Sequence, residues 1–402
     1  MKDKKQIICI AQSLWDGPKR VRHNLMREYA KRGNEVVFVE AYITWIKLLR
    51  GKTYWKYFFN IFRKPRLNDE GIYLAAVPPF VPGGEWIKII NSFNWLLIAY
   101  WIKLFVLPAL KFDKPILFTF SPLSEKVIKK FGEIISIYFC NDPFKQIFKF
   151  QSAHKNIERL ENALTGKADI VFGVSEKLVE ERIVYNKNSY LIPLAVNDGL
   201  FSRAYHSETF PAAEMEGLGK PIIGHIGVLN NRIDIDLMFL LSETYKDFSF
   251  VFIGPVIEVD GDYKLRLDKL KKQKNIFFLG NKKESELPSF IKPVDVCIIP
   301  YVKDDVTKYI KANSKFFQYV SSGKPVVSTI GPVDFGDDLC IHAESYDEFV
   351  NALNRALEMN GPEHLNKRNE FIKQHTWSAR VDEIEKRIDE FIQDDLNVLK
   401  HG

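Results

Sequence analysis

Two successive series of short apolar runs, separated by segments with helical periodicity, restrict the fold of this 402-residue sequence more than any other feature. The first series has strand-like runs at residues 6–11, 35–40, 115–120, 134–140 and 169–174. The second series has them at residues 221–227, 249–254, 275–280, 294–300 and 324–329. Strands that alternate with helices predict a parallel sheet with helices on both faces. The sequence therefore predicts an α/β protein with two Rossmann-like domains.

A polar segment rich in small residues, 205–220, separates the two series and is the predicted linker. A chain of this length is too long for one ordinary core and suits two domains. We predict an N-terminal domain over residues 1–205, a second domain over 216–375 and a last amphipathic helix over 376–395. Because ligands of such sheets bind at the carboxyl ends of the strands, the expected site is a cleft between the domains.

The composition disfavours several other classes of protein. An apolar fraction of 46% with 27% charged residues is that of a folded chain. Neither half has a complete G-x-G-x-x-G motif and no P-loop is present, which disfavours a nicotinamide enzyme or an ATPase. The four cysteines lie far apart and indicate buried thiols in a reducing cytoplasm. No group of His, Asp and Glu has metal-ligand spacing, so we expect no bound metal.

Two apolar segments have some features of targeting or membrane segments. The N-terminal run of six apolar residues is shorter than the core of a signal peptide and is interpreted as the first strand. Residues 93–110 resemble a membrane span in composition, but Lys103 lies in their middle. A central lysine is poorly tolerated in a span, so we expect a buried or surface-lying helix.

Positive charge is concentrated in the first half of the chain. Residues 1–205 hold 32 Lys and Arg against 19 Asp and Glu, whereas the remainder holds 25 against 32. Residues 44–66 alone contain seven basic residues, seven aromatic residues and no acid. A solvated face with core aromatics, a surface that rests on anionic lipid and a nucleic-acid site all remain open. We expect the lipid surface and no nucleic acid, since the rest of the sequence points away from nucleic-acid binding.

The stretch NSKFFQYVSSGKPVVST, residues 313–329, predicts a helix, a glycine stop at Gly323 and a short strand. Asn313 or Ser314 is the predicted N-cap. Lys315 lies in the first turn, where the exposed amides of the helix end disfavour a cation. Its position indicates that an anion is held there. The alternative is a lysine whose side chain extends into solvent.

These motifs together resemble GT-B glycosyltransferases. SKFFQYVSSGKPVVST is similar to their donor-domain signature, typically K-L-F-E-Y-L-A-A-G-K-P-V-V-S. GPKRVRHNLMREYAKRGNEVVFVEA is similar to their first acceptor-side strand, helix and strand, and KADIVFGVSEKLVEE and YLIPLAVND to the end of their N-domain. IGHIGVLNNRIDIDLM and IPYVKDDVTKYIKANSKFF resemble the bacterial group with teichuronic-acid-type transferases and the xanthan glucuronosyltransferase. The resemblance implies two domains facing a central cleft, with a C-terminal helix that crosses back to the N-domain.

The resemblance also implies a nucleotide-sugar donor, expected to be UDP-linked, as co-substrate. Lys315 and the helix amides would hold its diphosphate, with Asn313 and Ser314 lining the same pocket. Gly227 opens a turn whose amides are expected to approach phosphate, and Asn281 follows the strand that supports the base. The remaining expected donor-side residues are Asn230, Arg232, Tyr301 and Gln318. No further cofactor is expected.

Two positions depart from the family pattern. Many retaining members carry two glutamates seven residues apart, and the corresponding positions here are Lys311 and Gln318. The neutral amide of Gln318 can still bond a ribose hydroxyl, whereas a lysine cannot replace an acceptor. This departure favours an inverting mechanism.

An inverting mechanism requires a general base in the acceptor domain. Asp142, in YFCNDPF just beyond the strand at 134–140, is the first candidate. An aspartate followed by proline is also a standard helix N-cap, and that alternative remains open. Asp16, after the first strand, is the second candidate, and His23 is interpreted as structural.

The expected function is transfer of a sugar to a lipid-linked or polysaccharide acceptor in cell-surface polysaccharide biosynthesis, at the cytoplasmic face of the membrane. One alternative is a nucleotide-sugar epimerase of the same fold, which would have no use for the basic aromatic residues 44–66. Another is a catalytically silent membrane-docking partner of a polysaccharide assembly. The absence of the glutamate pair keeps that alternative open.

Overall fold

The computed structural model describes the main chain of residues 4–401 except 18, 42, 51, 149, 258, 260, 311 and 332–334. The side chains of residues 48–50, 52, 53, 56 and 395–401 also lie outside the description. The chain divides into two compact units. The first comprises Met1–Pro193 with Trp377–Gly402, and the second comprises Leu194–Thr376.

The first unit is built on an eight-stranded sheet. Its strands are β1 (Gln6–Ala11), β2 (Glu35–Glu40), β3 (Arg66–Leu67), β4 (Ile72–Ala75), β5 (Ile116–Thr119), β6 (Ile135–Cys140), β7 (Ile170–Gly173) and β8 (Ser189–Leu191). They lie in the order β3-β4-β2-β1-β5-β6-β7-β8, and all neighbouring pairs are parallel except β3 with β4. The central strands are buried along their length, as expected for a parallel sheet covered on both faces.

Helices connect these strands. They are α1 (Val21–Lys31), α2 (Trp45–Arg50), α3 (Lys52–Asn60), α4 (Lys88–Trp101), α5 (Leu107–Leu110), α6 (Phe144–Ile147), α7 (Gln151–Lys167) and α8 (Glu176–Ile183). The C-terminal helix Trp377–His401 belongs to this unit and packs against α1. Arg32 pairs with Asp382 at 2.7 Å and Lys5 pairs with Glu385 at 3.1 Å, which ties the end of the chain to its beginning.

The second unit is built on a six-stranded parallel sheet. Its strands are β9 (Ile222–Ile226), β10 (Ser249–Ile253), β11 (Ile276–Gly280), β12 (Val296–Ile299), β13 (Val326–Ser328) and β14 (Ile341–His342). They lie in the order β11-β10-β9-β12-β13-β14. The helices are α9 (Asp198–Phe201), α10 (Ile235–Thr244), α11 (Gly261–Leu270), α12 (Leu287–Ile291), α13 (Ser314–Ser321), α14 (Tyr346–Glu358) and α15 (Pro362–Lys373). The order places the carboxyl ends of β9, β10 and β12 side by side.

The predicted α/β class is confirmed, and each of the ten predicted strands is present within two residues of its predicted ends. The boundary between the units differs from the prediction. Residues 205–220 do not separate the units but lie inside the second, because Phe201, Ala204 and Met215 are buried in its core. The division falls instead between Pro193 and Leu194.

Within the described residues, one helical stretch, Lys88–Leu110, is long and apolar enough to cross a membrane by length and composition. It comprises α4, a π-helical turn at Ile102–Val106 and α5. Only 39% of its most apolar window is buried within the protein. Trp95 lies on the buried face, whereas Ile89 and Leu104 are exposed. The stretch therefore presents one apolar face inward and another outward.

Candidate functional site

Helix α13 is fixed against the end of β9 by Tyr319. The Tyr319 hydroxyl accepts a hydrogen bond from the Ile226 amide at 2.7 Å and donates one to the Ile226 carbonyl at 3.1 Å. Lys315 lies one helical turn before Tyr319 and therefore on the same face of α13. The bonds of Tyr319 thus position Lys315 at the carboxyl end of β9. Sequence reasoning missed Tyr319, although its spacing of four residues from Lys315 was a usable signal.

Lys315 and Gly227 occupy adjoining space. Gly227 has φ of +141°, and the Lys315 Nζ lies 2.8 Å from the position that a Cβ atom at residue 227 would take. A side chain at residue 227 would therefore displace Lys315. The Gly227 amide was expected to face phosphate, but it donates to the Ile253 carbonyl at 2.7 Å. Gly227 contributes the space above it rather than its amide.

A second glycine allows two strand ends to approach each other closely. Gly254, directly after β10, has φ of +149°, and a Cβ atom there would overlap the Gly227 carbonyl. Its amide donates to the Gly280 carbonyl at 2.8 Å. A glycine thus ends β11 and directly follows β9 and β10, in the runs NIFFLG, PIIGHIG and SFVFIG. This repeated ending was the sequence signal for Gly254, which was not predicted as a site residue.

The Lys315 ammonium group lies over the ring of Tyr301, and the His225 ring lies beside that of Tyr301. The Lys315 Nζ is 5.5 Å from the centre of the Tyr301 ring, and that ring is 6.0 Å from the His225 ring. Burial lowers the pKa of His225 to about 3, and the charge of Lys315 lowers it further. His225 is therefore neutral near pH 7, so the positive charge in this group of three residues belongs to Lys315.

Asn313 is the N-cap of α13, which resolves the predicted choice between Asn313 and Ser314. Its Oδ1 accepts a hydrogen bond from the Phe316 amide at 2.9 Å. Ser314 is exposed in the first turn, and Gln318 is half-buried one turn further along. Lys311, the other position that departs from the family pattern, lies outside the described residues. The cap leaves the exposed first turn beside Lys315 as the part of α13 that can meet a ligand.

Asn230 and Arg232 belong to the turn that follows Gly227. The Asn230 side-chain oxygen accepts from the Arg232 amide at 3.1 Å, and the Tyr263 hydroxyl donates to the Asn230 carbonyl at 2.6 Å. Both residues therefore shape the turn. Asn281 is exposed beyond the edge strand β11, two strands away from β9, and no described contact joins it to Lys315. The second unit thus brings together Gly227, Tyr301, Asn313, Ser314 and Lys315.

In the first unit, Asp142 follows β6 and interacts with a buried arginine. Arg22 is 6% exposed, and its Nε donates to the Ser13 hydroxyl at 2.9 Å. Burial lowers the pKa of Arg22 to about 10, and the charge of Asp142 opposes this shift. Helix α6 has Pro143 as its N-cap, so Asp142 is not the cap that the alternative interpretation required. The Asp142 carboxylate also accepts a hydrogen bond from the side-chain amide of Asn141.

Asp16 is exposed in the loop after β1 and interacts with a carboxyl group that the sequence analysis missed. Glu40, the last residue of β2, accepts a hydrogen bond from the Trp15 amide at 2.7 Å. Burial raises the pKa of Glu40 to about 7, and the charge of Asp16 adds to the rise. A carboxyl group that titrates near neutral pH is suited to proton transfer. Its position at the carboxyl end of a strand was the available signal.

His23 is structural, as the sequence analysis interpreted it. It is fully buried, its Nδ1 accepts from the Arg20 amide at 3.1 Å, and its Nε2 donates to the Leu14 carbonyl at 3.2 Å. Burial lowers the pKa of His23 to about 4. The neutral ring therefore fixes the loop that carries Asp16.

A cavity of about 350 Å³ lies in the first unit, at the carboxyl ends of its central strands. Gln12 follows β1, Ala41 follows β2, Leu123 follows β5 and Phe144 follows β6. Most of the other lining residues are apolar: Phe80, Val81, Pro82, Trp95, Pro122, Phe148 and Ile157. Polar groups at the cavity come chiefly from Gln12, Thr44, Lys47, Glu85, Asn91 and Asn94.

The basic aromatic segment 44–66 divides its aromatic residues between core and surface. Tyr57 is buried, and its hydroxyl accepts from the Val77 amide at 3.1 Å. Phe59 and Phe62 are exposed, and the Phe62 ring lies 6.3 Å from Trp101 of α4. The exposed aromatics therefore continue toward the outer face of Lys88–Leu110. Three of the seven basic residues, Arg50, Lys52 and Lys56, have side chains outside the described residues.

Among the residues that the structure describes, no group of three or more His, Cys, Asp or Glu side chains is arranged to hold a metal ion. The four cysteines are free and buried. Burial raises the pKa of the Cys9 and Cys297 thiols, which keeps them protonated and unreactive.

No protein-family model matches the chain. A curated relative is TuaH of Bacillus subtilis strain 168, provisionally named a teichuronic acid biosynthesis glycosyltransferase. The two are 22% identical over 178 residues, which cover 43% of this chain and 44% of TuaH. The match thus spans less than half the length of that relative.

Solved structures match the chain over nearly its whole length. Sucrose-phosphate synthase from Thermosynechococcus elongatus has a TM-score of 0.67 and 13% identity, and the match covers 97% of this chain and 100% of that one. HepE from Anabaena, solved with UDP and glucose, has a TM-score of 0.66 and 12% identity, with 96% and 100% covered. These similarities show that the chain has the GT-B fold. The teichuronic-acid-type resemblance predicted from the sequence agrees with the match to TuaH.

Proposed function

We propose that this protein is a glycosyltransferase that transfers a sugar from a nucleotide-diphosphate sugar, UDP-linked, to a lipid-linked or polysaccharide acceptor. Its role would be in the biosynthesis of cell-surface polysaccharide. The observation that carries the proposal is the position of Lys315 at the N-terminus of α13, directly above Gly227. Support for a UDP-linked donor comes from HepE, which shares the fold and was solved with UDP and glucose.

Lys315 suits the leaving group of such a reaction. When the glycosidic bond breaks, negative charge grows on the diphosphate. An ammonium group and the first-turn amides of α13 stabilise this charge, and the low dielectric of a half-buried site strengthens the interaction. Tyr301 lies beneath Lys315, with neutral His225 beside Tyr301, and neither residue places a competing anion there. We propose that these groups act without a metal ion or further cofactor.

Asp142 is the proposed general base of an inverting reaction. The acceptor hydroxyl oxygen attacks the anomeric carbon, the bond to the diphosphate breaks, and Asp142 takes the hydroxyl proton. The charge of Asp142 acts on the buried Arg22 guanidinium beside it, and an ionised carboxylate is the form that accepts a proton. Asp16 with Glu40 is the second candidate pair, because the pKa of Glu40 near 7 is suited to proton transfer.

We further propose that the protein lies on the cytoplasmic face of the membrane and contacts anionic lipid through residues 44–66. Exposed Phe59 and Phe62 would settle among the headgroups, while the basic residues of the segment attract anionic lipid. The outward apolar face of Lys88–Leu110 would extend the same surface.

The experiment that tests the function follows labelled sugar from UDP-, GDP- and ADP-linked donors into the lipid and polysaccharide fractions of bacterial membranes. The proposal expects release of one nucleoside diphosphate together with label in one of those fractions. Conversion of the sugar without transfer would identify an epimerase. Nucleotide binding without turnover of any donor would favour a silent docking partner.

A further inference from the structure

The cavity in the first unit is rigidly constructed. Residues 80–84 form one wall, which is held by a hydrogen bond from the Phe80 amide to the Ile43 carbonyl at 2.8 Å. The Asn94 side chain accepts from the Val81 amide at 2.9 Å and donates to the Val81 carbonyl at 2.8 Å. Asn91 donates to the Leu123 carbonyl at 2.9 Å. These bonds fix the wall of the cavity to the neighbouring loop and to α4.

The same bonds engage two of the six polar side chains at the cavity, and they leave Gln12, Thr44, Lys47 and Glu85 as its other polar lining. Asn91 and Asn94 are almost fully buried, and their amide groups are engaged by backbone atoms of the cavity walls. The remaining walls are mainly aromatic and aliphatic, including Trp95, Phe144 and Phe148. A hydroxylated sugar ring would lose its bonds to water there and find few replacements. A hydrocarbon chain would lose nothing polar and would gain from burial.

The wall of the cavity is also the inner face of the outward-facing helix. Asn91, Asn94 and Trp95 of α4 line the cavity, whereas Ile89 and Phe93 of the same helix are exposed. Lys47, from the basic segment 44–66, lies on the lining beside Thr44. The helix that lines the cavity thus also carries an exposed apolar face, and a basic residue lies on the cavity lining.

From these observations we propose that the cavity binds the hydrocarbon chain of a phosphate-linked lipid acceptor. The inference rests on the proposed function and narrows its acceptor from the lipid-linked or polysaccharide class to the lipid-linked one. The cavity volume of about 350 Å³ lies at the small end of the usual range for ligand sites, so it holds part of a long chain.

The test uses the full chain and farnesyl phosphate as probe, with glucose 1-phosphate as the polar comparison. Val81→Phe adds volume at the cavity lining, where Val81 is 37% exposed, and the backbone bonds of residue 81 to Asn94 do not involve the substituted side chain. Val184→Phe makes the same change at a site that is 78% exposed and does not line the cavity. Leu123→Phe is a second filling variant, and thermal denaturation identifies any variant that does not fold.

Calorimetry should find that farnesyl phosphate binds and glucose 1-phosphate does not. Val81→Phe and Leu123→Phe should weaken farnesyl phosphate binding by about tenfold or more, and Val184→Phe should leave it unchanged. UDP affinity should be equal in all four proteins. Equal binding of farnesyl phosphate by wild type and folded filling variants, or no binding at all, would overturn the inference.

The inference and the proposed function fail in different ways. If farnesyl phosphate binds in a way that depends on Val81 but no nucleotide binds, the lipid site in the cavity is supported and the proposed glycosyltransferase function is contradicted. Transfer to a soluble glycan at an unchanged rate in Val81→Phe would retain the glycosyltransferase and remove the lipid chain from the cavity.

Discussion

The ammonium nitrogen of Lys315 lies 2.8 Å from the position that a Cβ atom at residue 227 would occupy. The helix that carries Lys315 and the loop that carries Gly227 are held together by Tyr319, which bonds both the amide and the carbonyl of Ile226. Residue 227 must be glycine, because the Lys315 side chain occupies the space that a Cβ atom would need. Residue 315 needs a long cationic side chain, because only a long side chain carries the charge over the end of β9. The two residues therefore form one structural unit.

Gly227→Ala should therefore weaken nucleotide binding by displacing Lys315. We expect a loss of about 1 to 3 kcal/mol, the range for hydrogen bonds to charged groups. The double variant Gly227→Ala with Lys315→Ala should lose much less than the sum of the single losses, because both changes remove the same contact. Calorimetry with UDP and GDP measures the affinities of the wild type, the two single variants and the double variant.

Gly217→Ala is the matched control for backbone strain. Gly217 also has a positive φ, +76°, but nothing lies within 4 Å of its missing Cβ. It should lower the free energy of unfolding without changing nucleotide affinity. If the loss of nucleotide affinity in the double variant equals the sum of the two single losses, Gly227 and Lys315 act independently, which would contradict the prediction.

Asp142→Asn should reduce turnover by about 10²- to 10⁴-fold, the usual contribution of a general base. Donor affinity should hardly change, because the base acts on the acceptor. Initial rates with the nucleotide sugar that supports transfer, together with UDP binding, separate the effect on turnover from the effect on donor affinity. Asp113→Asn, at an exposed position in the same unit, is the control and should keep normal turnover.

A near-normal rate in Asp142→Asn would move the assignment to Asp16 and Glu40. A loss of folding would instead assign Asp142 to the neutralisation of buried Arg22.

Glu40→Gln should change how stability depends on pH. The pKa of Glu40 is raised from 4.5 to about 7, so between these values the folded protein retains a proton that the unfolded chain releases. The wild type therefore loses stability from this group as the pH rises through that window. The difference of 2.5 pKa units corresponds to at most about 3 kcal/mol.

Urea denaturation at pH 4.5 and pH 8 measures the effect. The free energy of unfolding of Glu40→Gln minus that of the wild type should be larger at pH 8 than at pH 4.5. A stability difference between the two proteins that is independent of pH would show that folding does not raise the pKa of Glu40.

The parallel strands could be predicted from the sequence because buried strands have continuous apolar runs with clear breaks. β3, β4, β8 and β14, which have two to four residues each, were not predicted. The unit boundary was misplaced because 205–220 is polar although it packs on the core through Met215.

Part of the donor-side group was also predictable, and part was not. Lys315 stood out because a cation at a helix N-terminus conflicts with local electrostatics. Its partners could not be identified in the same way. Tyr319 and His225 act through contacts with distant strands, and the pKa of Glu40 depends on burial, which the sequence does not reveal.

Phe59→Ser with Phe62→Ser should reduce binding to vesicles that contain phosphatidylglycerol. Both side chains are exposed, at 60% and 72%, so the loss reflects the surface rather than the core. The wild type should bind neutral vesicles more weakly than anionic ones, and added salt should weaken binding through screening. Flotation of vesicles at low and high salt gives the comparison.

Phe210→Ser is the control, because Phe210 is 77% exposed in the second unit. It should bind vesicles as the wild type does. Equal binding of the wild type to anionic and neutral vesicles would identify residues 44–66 as an ordinary solvated face.

Nucleotide binding by Lys315→Ala tests the central claim most directly. Lys246→Ala, at an exposed position in the same unit, is the matched control. Calorimetry with UDP, and with GDP and ADP in parallel, should show a loss of about 1 to 3 kcal/mol for Lys315→Ala with no change in folding and no loss for Lys246→Ala. Unchanged affinity of Lys315→Ala for every nucleotide that the wild type binds would contradict a diphosphate site at the N-terminus of α13.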